Sequence, residues 1–170
     1  VKPIGVIRLV LDCNYLSLQA GDRLSHVSSV AFDASTFEIW APLLNGAMMV
    51  IYSREQILNP HLFLAERDRT NTNICFLTTA LFHMYMATLP EIVSRFKVLM
   101  VGGEAIEPSK VRSALRSYQP DVLMNVYGPT ENTAYSTYYP IEYLPETALS
   151  VPVGRAISGS TAYVLDSYQQ

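Results

Sequence analysis

An α/β fold with a largely parallel sheet flanked by helices is the architecture this chain predicts, and three observations carry it. Short apolar runs rich in β-branched residues recur up to Tyr127. Stretches with helical spacing separate them, and continuous apolar strands spaced by helices are the mark of a sheet buried on both faces. After residue 134 the pattern loosens into STYYPIEYL and TAYVLD, which read as strands of a less regular, antiparallel-type region.

The predicted strands are HVSSVAF (26–32), AMMVIY (47–52), NICFL (73–77), KVLMV (97–101) and VLMNVY (122–127). The helices carry their own start and stop signals. Ser35 and Glu38 have capping-box spacing. Phe37, Trp40, Ala41 and Leu44 then fall on one face, and Gly46 ends the helix. Asn59-Pro60 reads as a cap followed by proline at the first helical position. Thr79 or a neighbour caps ALFHMYMATL. Pro108 opens a helix in which Val111, Leu115 and Tyr118 share a face.

Composition narrows the function classes. With 170 residues, 49% hydrophobic and 16% charged, the chain is the size of one domain with a substantial core. The net charge of −3 and the lack of any Lys/Arg cluster argue against a nucleic-acid-binding face. No apolar run approaches a membrane span and no signal peptide is visible, so a cytoplasmic protein is expected. Cys13 and Cys75 lack CxxC spacing, which fits reduced thiols. His26, His61 and His83 are scattered without metal-ligand spacing and read as structural or surface residues. Neither end tapers into polar residues, which predicts a piece of a longer protein.

Four strand ends supply the chemistry: Phe32-Asp33-Ala34-Ser35, Phe76-Leu77-Thr78-Thr79, Val101-Gly102-Gly103-Glu104-Ala105, and Tyr127-Gly128-Pro129-Thr130-Glu131. Read as βα junctions of a parallel sheet, they converge on one edge, where open α/β sheets bind ligands. Asp33 reads either as a counter-charge for a ligand ammonium or as the cap of the following helix. Gly102-Gly103 reads either as a seat for a flat ligand or as a tight turn. YGPTE reads either as a turn in which Thr130 caps the turn that follows or, with a ring, a tight turn, a hydroxyl and a carboxylate within five positions, as a Mg-nucleotide site, and the second reading accounts better for Tyr127 together with Glu131. Neither a GxGxxG fingerprint nor a GK[ST] phosphate loop is present.

AFDASTFEIW, VGGEAI and NVYGPTE, in that order and spacing, together with VPVGRAISGSTAYVLD, resemble the amino-acid adenylation domains of nonribosomal peptide synthetases, within the acyl-adenylate-forming superfamily. The resemblance covers nearly the whole chain. It implies activation of an amino acid with ATP and Mg²⁺ to an aminoacyl-adenylate, then transfer to the phosphopantetheine thiol of a peptidyl carrier domain, with condensation domains as further partners. It also implies roles. Tyr127 would stack on adenine opposite the Gly103-Glu104-Ala105 backbone, with Asn125 at the adenine edge and Gly128 in the nucleotide turn. Thr130 would contact the α-phosphate, Glu131 would hold Mg²⁺, and Asp33 would pair with the substrate ammonium. The side-chain pocket would fall on Ala34, Phe37, Phe76, Met100, Gly102, Val126, Ala134 and Tyr135. These are apolar or small apart from the Tyr135 hydroxyl, and are most like pockets for isoleucine, then valine or leucine. Core packing is the competing reading for Phe37, Phe76 and Val126.

The same resemblance makes residues 1–170 an incomplete adenylation core. The Ser/Thr/Gly-rich phosphate loop, the ribose-binding aspartate and the C-terminal lid with its lysine would lie outside it, and Ile4 stands where a second lysine is expected. The isolated 170-residue piece is therefore expected to be inactive. Two other readings remain open: an acyl- or aryl-acid-activating ligase of the same superfamily, and a non-catalytic nucleotide-binding α/β module.

Overall fold

The computed structural model describes residues 1–118 and 120–168. It contains one seven-stranded sheet in the order β2-β1-β3-β4-β5-β6-β7. Strands β1 (Arg23–His26), β2 (Met48–Ile51), β3 (Ile74–Thr78), β4 (Val98–Gly102) and β5 (Leu123–Tyr127) are parallel. Strands β6 (Thr137–Pro140) and β7 (Arg155–Ala156) add antiparallel pairs at one side. The α/β expectation holds, and the antiparallel region past residue 134 is present in β6 and β7.

Both faces of the sheet are covered because alternate strand residues serve two cores. Ile74, Phe76, Met100, Met124 and Val126 join a cluster with helices α1 (Pro3–Val10) and α2 (Ala34–Leu44). Cys75, Leu77, Leu99, Val101 and Leu123 join the other cluster, which includes Phe63 of α4 (Pro60–Thr70), Phe82 and Tyr85 of α5 (Thr79–Thr88), and Val111 of α6 (Pro108–Ser113). A short helix α3 (Arg54–Leu58) precedes α4, and a π-helical turn (Ala114–Tyr118) follows α6. Among the described residues, no helix is long and apolar enough to cross a membrane. Both cysteines are free.

The chain reverses its direction across the sheet between β1 and β3. From β1 it passes through α2 on one face to β2; from β2 it passes through α3 and α4 on the other face to β3. The helices following β1 and β3 therefore diverge to opposite faces, which leaves a crevice at the carboxyl ends of those strands. At the opposite edge, Asp22 closes the sheet. It accepts from Gln19 N, from Asn73 Nδ2 at 2.8 Å and from Lys97 Nζ at 2.9 Å, tying together the entries of β1, β3 and β4. Burial raises its carboxyl pKa, but these donors outweigh that and hold it below the ordinary value.

Several local expectations are met. Asn59 accepts from His61 N and Leu62 N ahead of Pro60. Thr78 is the neighbour that caps α5, accepting from Leu81 N. Pro108 opens α6. Four differ. The run HVSSVAF is not a strand over 26–32: β1 ends at His26, and Val30 and Phe32 are exposed in the loop that follows. Ser35 and Glu38 form no capping box. Ser35 lies inside α2 and its hydroxyl donates to Phe32 O, while Glu38 turns back toward β1. On α2, Phe37 and Ala41 are buried, but Trp40 and Leu44 are about half exposed, so the apolar face is narrower than predicted. TAYVLD (161–166) forms no strand and is exposed.

Glu38 explains the first two departures. Its carboxylate is 0% exposed and accepts from His26 Nδ1 at 2.8 Å, Val27 N at 3.2 Å, Ser28 N at 2.9 Å and Ser28 Oγ at 3.0 Å. These donors take the backbone out of the ladder and fold 27–33 into a loop; a buried carboxylate this well bonded is stable only while the set is complete. Replacing Glu38 with Ala leaves two backbone N–H groups and the imidazole without it, and is expected to lower unfolding stability by about 2–4 kcal/mol in urea titrations of the protein carrying this chain. The hydrogen bond to Glu38 raises the His26 pKa above 6.5. The folded state thus binds the proton more tightly than the unfolded one. That contribution is complete below the unfolded value and is lost as pH rises through the raised folded value. The stability gap between wild type and His26→Gln should accordingly be wider near pH 6 than near pH 9.

Candidate functional site

The crevice at the switch between β1 and β3 is a cavity of about 530 Å³. All four predicted junctions reach it: Val27–Ser29 and Phe32–Ala34 after β1, Phe76 and Thr78–Ala80 at β3, Gly102–Glu104 after β4, and Val126, Gly128, Ala134 and Tyr135 around β5. One junction differs in kind. YGPTENTA does not lead into a long helix. It joins antiparallel β5 and β6 through a single 3₁₀ turn (Thr130–Asn132), and Tyr127 O accepts from Ser136 N where the strands re-pair.

Asp33 stands at the cavity rim at the start of α2. Its backbone is helical and its side chain makes no cap hydrogen bond, so the capping alternative is set aside. Its Oδ2 instead accepts from Thr130 Oγ1 at 2.6 Å, across 97 positions of sequence. This contact joins the two most distinctive motifs of the chain at one point.

The β4 end is shaped by backbone proximity. Gly102 pairs with Val126, and a Cβ at Gly102 would lie 2.3 Å from Val126 O, so only glycine fits. Gly103 has φ +98° with open space where its side chain would be. Register sets Gly103 level with Tyr127, because each follows one residue after the Gly102/Val126 pair. The Tyr127 ring is 54% exposed at that edge. Thr79, missed as anything more than a cap candidate, places its hydroxyl 2.9 Å from Glu104 O and 3.2 Å from Gly102 O, and so fixes the Gly102–Glu104 loop.

The inner wall is apolar and aromatic. Ala34, Phe76, Val126, Ala134 and Tyr135 line it. The Tyr135 ring packs 5.7 Å from Phe76 and 5.2 Å from Phe37. Its hydroxyl is buried without a hydrogen-bond partner among the described residues, and burial pushes its pKa well up. Phe37 and Met100 are fully buried and form a second row behind the wall rather than its surface. Asn125 is buried on the far face of β5, where its amide donates to Pro152 O at 2.8 Å. Glu131 is exposed on the 3₁₀ turn and Ala105 is exposed past the β4 loop; neither lines the cavity. Asp33 and Glu104 are the charged residues in the lining, and among the described residues no cluster of three His, Cys, Asp or Glu side chains could hold a metal alone. A single carboxylate such as Glu131 is still sufficient for Mg²⁺ when phosphate oxygens supply the remaining ligands.

Arg8 carries no motif signal in the sequence, yet it reaches the turn beside the cavity. From the last turn of α1 its Nη2 donates to Asn132 O at 2.5 Å and Tyr135 O at 3.1 Å, with Thr133 O at 3.4 Å, while Nη1 donates to Ser160 Oγ. It grips the turn that carries Thr130 and Tyr135.

Known proteins resemble this chain in sequence and in structure. The profile of the family described as AMP-binding enzyme matches residues 5–170. Surfactin synthase subunit 1 of Bacillus subtilis (strain 168) is 37% identical over 98% of this chain, which spans 5% of that protein. Tyrocidine synthase 3 of Brevibacillus parabrevis is 38% identical over 100% of the chain, which spans 3% of it. Among solved structures, holo-PA1221, an NRPS protein containing adenylation and PCP domains, superposes with a TM-score of 0.88 at 30% identity, over 98% of this chain and 29% of its own. The Klebsiella oxytoca NpsA N-terminal subdomain, in complex with 3-hydroxyanthranilyl-AMSN, gives a TM-score of 0.87 at 25% identity, over 98% of this chain and 43% of its own. With its switch-point cavity and the FDAS and YGPTE motifs meeting there, the chain belongs to the AMP-binding enzyme family, and these relatives and neighbours are nonribosomal peptide synthetases or parts of them.

Proposed function

We propose that the protein carrying this chain activates an amino acid with ATP, releasing pyrophosphate, and then transfers the aminoacyl group to the phosphopantetheine thiol of a carrier domain. The observation that carries this reading is the Asp33–Thr130 contact. It supports an ammonium acceptor and a phosphate-facing hydroxyl at one cavity mouth, as attack of an amino-acid carboxylate on an α-phosphorus requires. In the first step a carboxylate oxygen bonds to that phosphorus and pyrophosphate leaves. In the second the thiol gives up its proton, its sulfur bonds to the acyl carbon, and the bond from that carbon to the phosphate oxygen breaks so that AMP leaves.

Each residue has a part. Tyr127 and the Gly103–Ala105 backbone offer two sides of a slot for adenine, Gly128 keeps the turn beside it narrow, and Asn125 braces β5 from behind. Thr130 orients the α-phosphate, and Asp33 holds the ammonium. Glu131 supplies the carboxylate for Mg²⁺, which when bound offsets charge developing on the phosphoryl oxygens.

The substrate side chain is a branched aliphatic one, isoleucine before valine or leucine. Ala34, Phe76, Gly102, Val126, Ala134 and Tyr135 give an apolar wall backed by Phe37 and Met100, with no cation in the lining to receive an acidic side chain. Neighbouring aliphatic residues are separated by about 1–3 kcal/mol per methylene, so partial acceptance of valine and leucine follows. The Tyr135 hydroxyl favours a second reading, a side chain bearing one hydrogen-bonding group, because a buried hydroxyl gains from any partner a ligand brings.

Amino-acid-dependent ATP–pyrophosphate exchange by the full-length protein across the proteinogenic set tests this. Highest turnover with isoleucine is expected; a glutamine-like preference would select the second reading, and a charged preference would sink both. Replacing Asp33 with Ala should raise the amino-acid KM roughly 10- to 100-fold, the worth of a charge-assisted bond, while leaving the ATP KM within a few-fold. Unchanged exchange in that variant would remove the ammonium role and return the aryl- or acyl-acid reading. Replacing Glu131 with Gln should shift the Mg²⁺ dependence of exchange to concentrations about tenfold higher or more; an unmoved Mg²⁺ curve would clear Glu131 of metal binding.

A further inference from the structure

The turn that presents Thr130, Glu131 and Tyr135 is held in a strained shape by a residue from the opposite end of the chain. Thr133 (φ 58°) and Ala134 (φ 61°) are consecutive non-glycine residues in the left-handed region. Such backbone costs free energy at each position and persists only where its surroundings enforce it. Two neighbours enforce it here. Helix α1 approaches so closely at Gly5 that a Cβ there would lie 2.5 Å from Thr133 Oγ1. One turn on, Arg8 donates to the carbonyls of Asn132, Thr133 and Tyr135, which bracket the left-handed pair. The other end of its guanidinium donates to Ser160, and its aliphatic stem lies against Gly159. A planar fork spreads five donors over three nitrogens and reaches two loops at once; a lysine ammonium gathers its three donors on one nitrogen and does not span them.

We infer that Arg8 is a positioning residue for adenylation, acting through the Thr130–Tyr135 turn: it fixes the left-handed pair and thereby sets both the phosphate-facing hydroxyl and the aromatic wall of the amino-acid pocket. This rests on the proposed function for its chemical readout, but not for its structural one. Because one turn serves both substrates, loss of the fork affects ATP and amino acid together, unlike Asp33→Ala.

The experiment is a double-mutant cycle in the full-length protein with Arg8→Lys and Thr133→Gly. Glycine adopts the left-handed region without strain, so it relieves the need for the clamp. Arg8→Lys alone should lower kcat/KM for both substrates on the order of 10- to 100-fold, with faster amide hydrogen exchange over residues 130–136. In the Thr133→Gly background the same substitution should cost only a few-fold. Wild-type kcat/KM in Arg8→Lys overturns the inference, as does an equal loss in both backgrounds. Failure of Arg8→Lys to fold in either background assigns the residue to folding alone and also overturns it. If the wild-type protein shows no exchange with any amino acid, the proposed function fails. Hydrogen exchange over 130–136 then decides the clamp by itself: unchanged protection in Arg8→Lys rejects it.

Discussion

Everything in this structure follows from the divergence of two parallel crossovers. A parallel sheet must be covered on both faces, so the chain cannot run to β2 and β3 along the same side of β1. Once α2 takes one face and α4 and α5 take the other, the carboxyl ends of β1 and β3 are left without a covering helix between them. Asp22 and Lys97 tie together the opposite ends of the same strands, so β1, β3 and β4 are held where they enter the sheet and open where they leave it. The cavity is a consequence of the winding; the side chains at its rim decide what it does.

Much of this was legible because the signals were local. Strands β2 to β5 announced themselves as apolar runs, Asn59-Pro60 and Pro108 marked helix starts by their backbone limits, and the junction motifs converged as a parallel sheet demands. Misreadings arose where a distant partner overrode a local pattern. HVSSVAF has the composition of a strand, but Glu38 draws off the polar groups at its start and turns the rest into cavity wall. The same carboxylate mimicked half of a capping box. YGPTENTA looked like a helix-leading junction because nothing within it reveals that β6 returns antiparallel. TAYVLD has strand composition but lies outside the seven strands of the sheet.

The site residues divide in the same way. Asp33, Thr130, Gly102, Gly103 and Tyr135 could be named from the chain because each carries its chemistry in its side chain or its lack of one. Arg8, Glu38 and Thr79 could not, since each works by holding the backbone of another segment: the 132–135 turn, the 26–28 loop and the 102–104 loop. A sequence shows which groups can react more readily than which groups keep them still.

The three holding residues share a logic that also accounts for the non-glycine turn at Thr133 and Ala134. Glycine at those positions would enter the left-handed region without strain and would not need Arg8 and Gly5 to hold it there. Thr and Ala admit far fewer alternatives, so the strain, once enforced by Gly5 and Arg8, narrows the positions Thr130 and Tyr135 can occupy. Catalysis by positioning depends on such narrowing, because displacing a reacting group by about an ångström can cost about 100-fold in rate, a free energy comparable to what the strained turn costs in stability. Glu38 and Thr79 act likewise on the other two loops, through hydrogen bonds to backbone groups. The cavity is therefore braced on three sides by hydrogen bonds from other segments, and the Tyr127 edge is the exposed side.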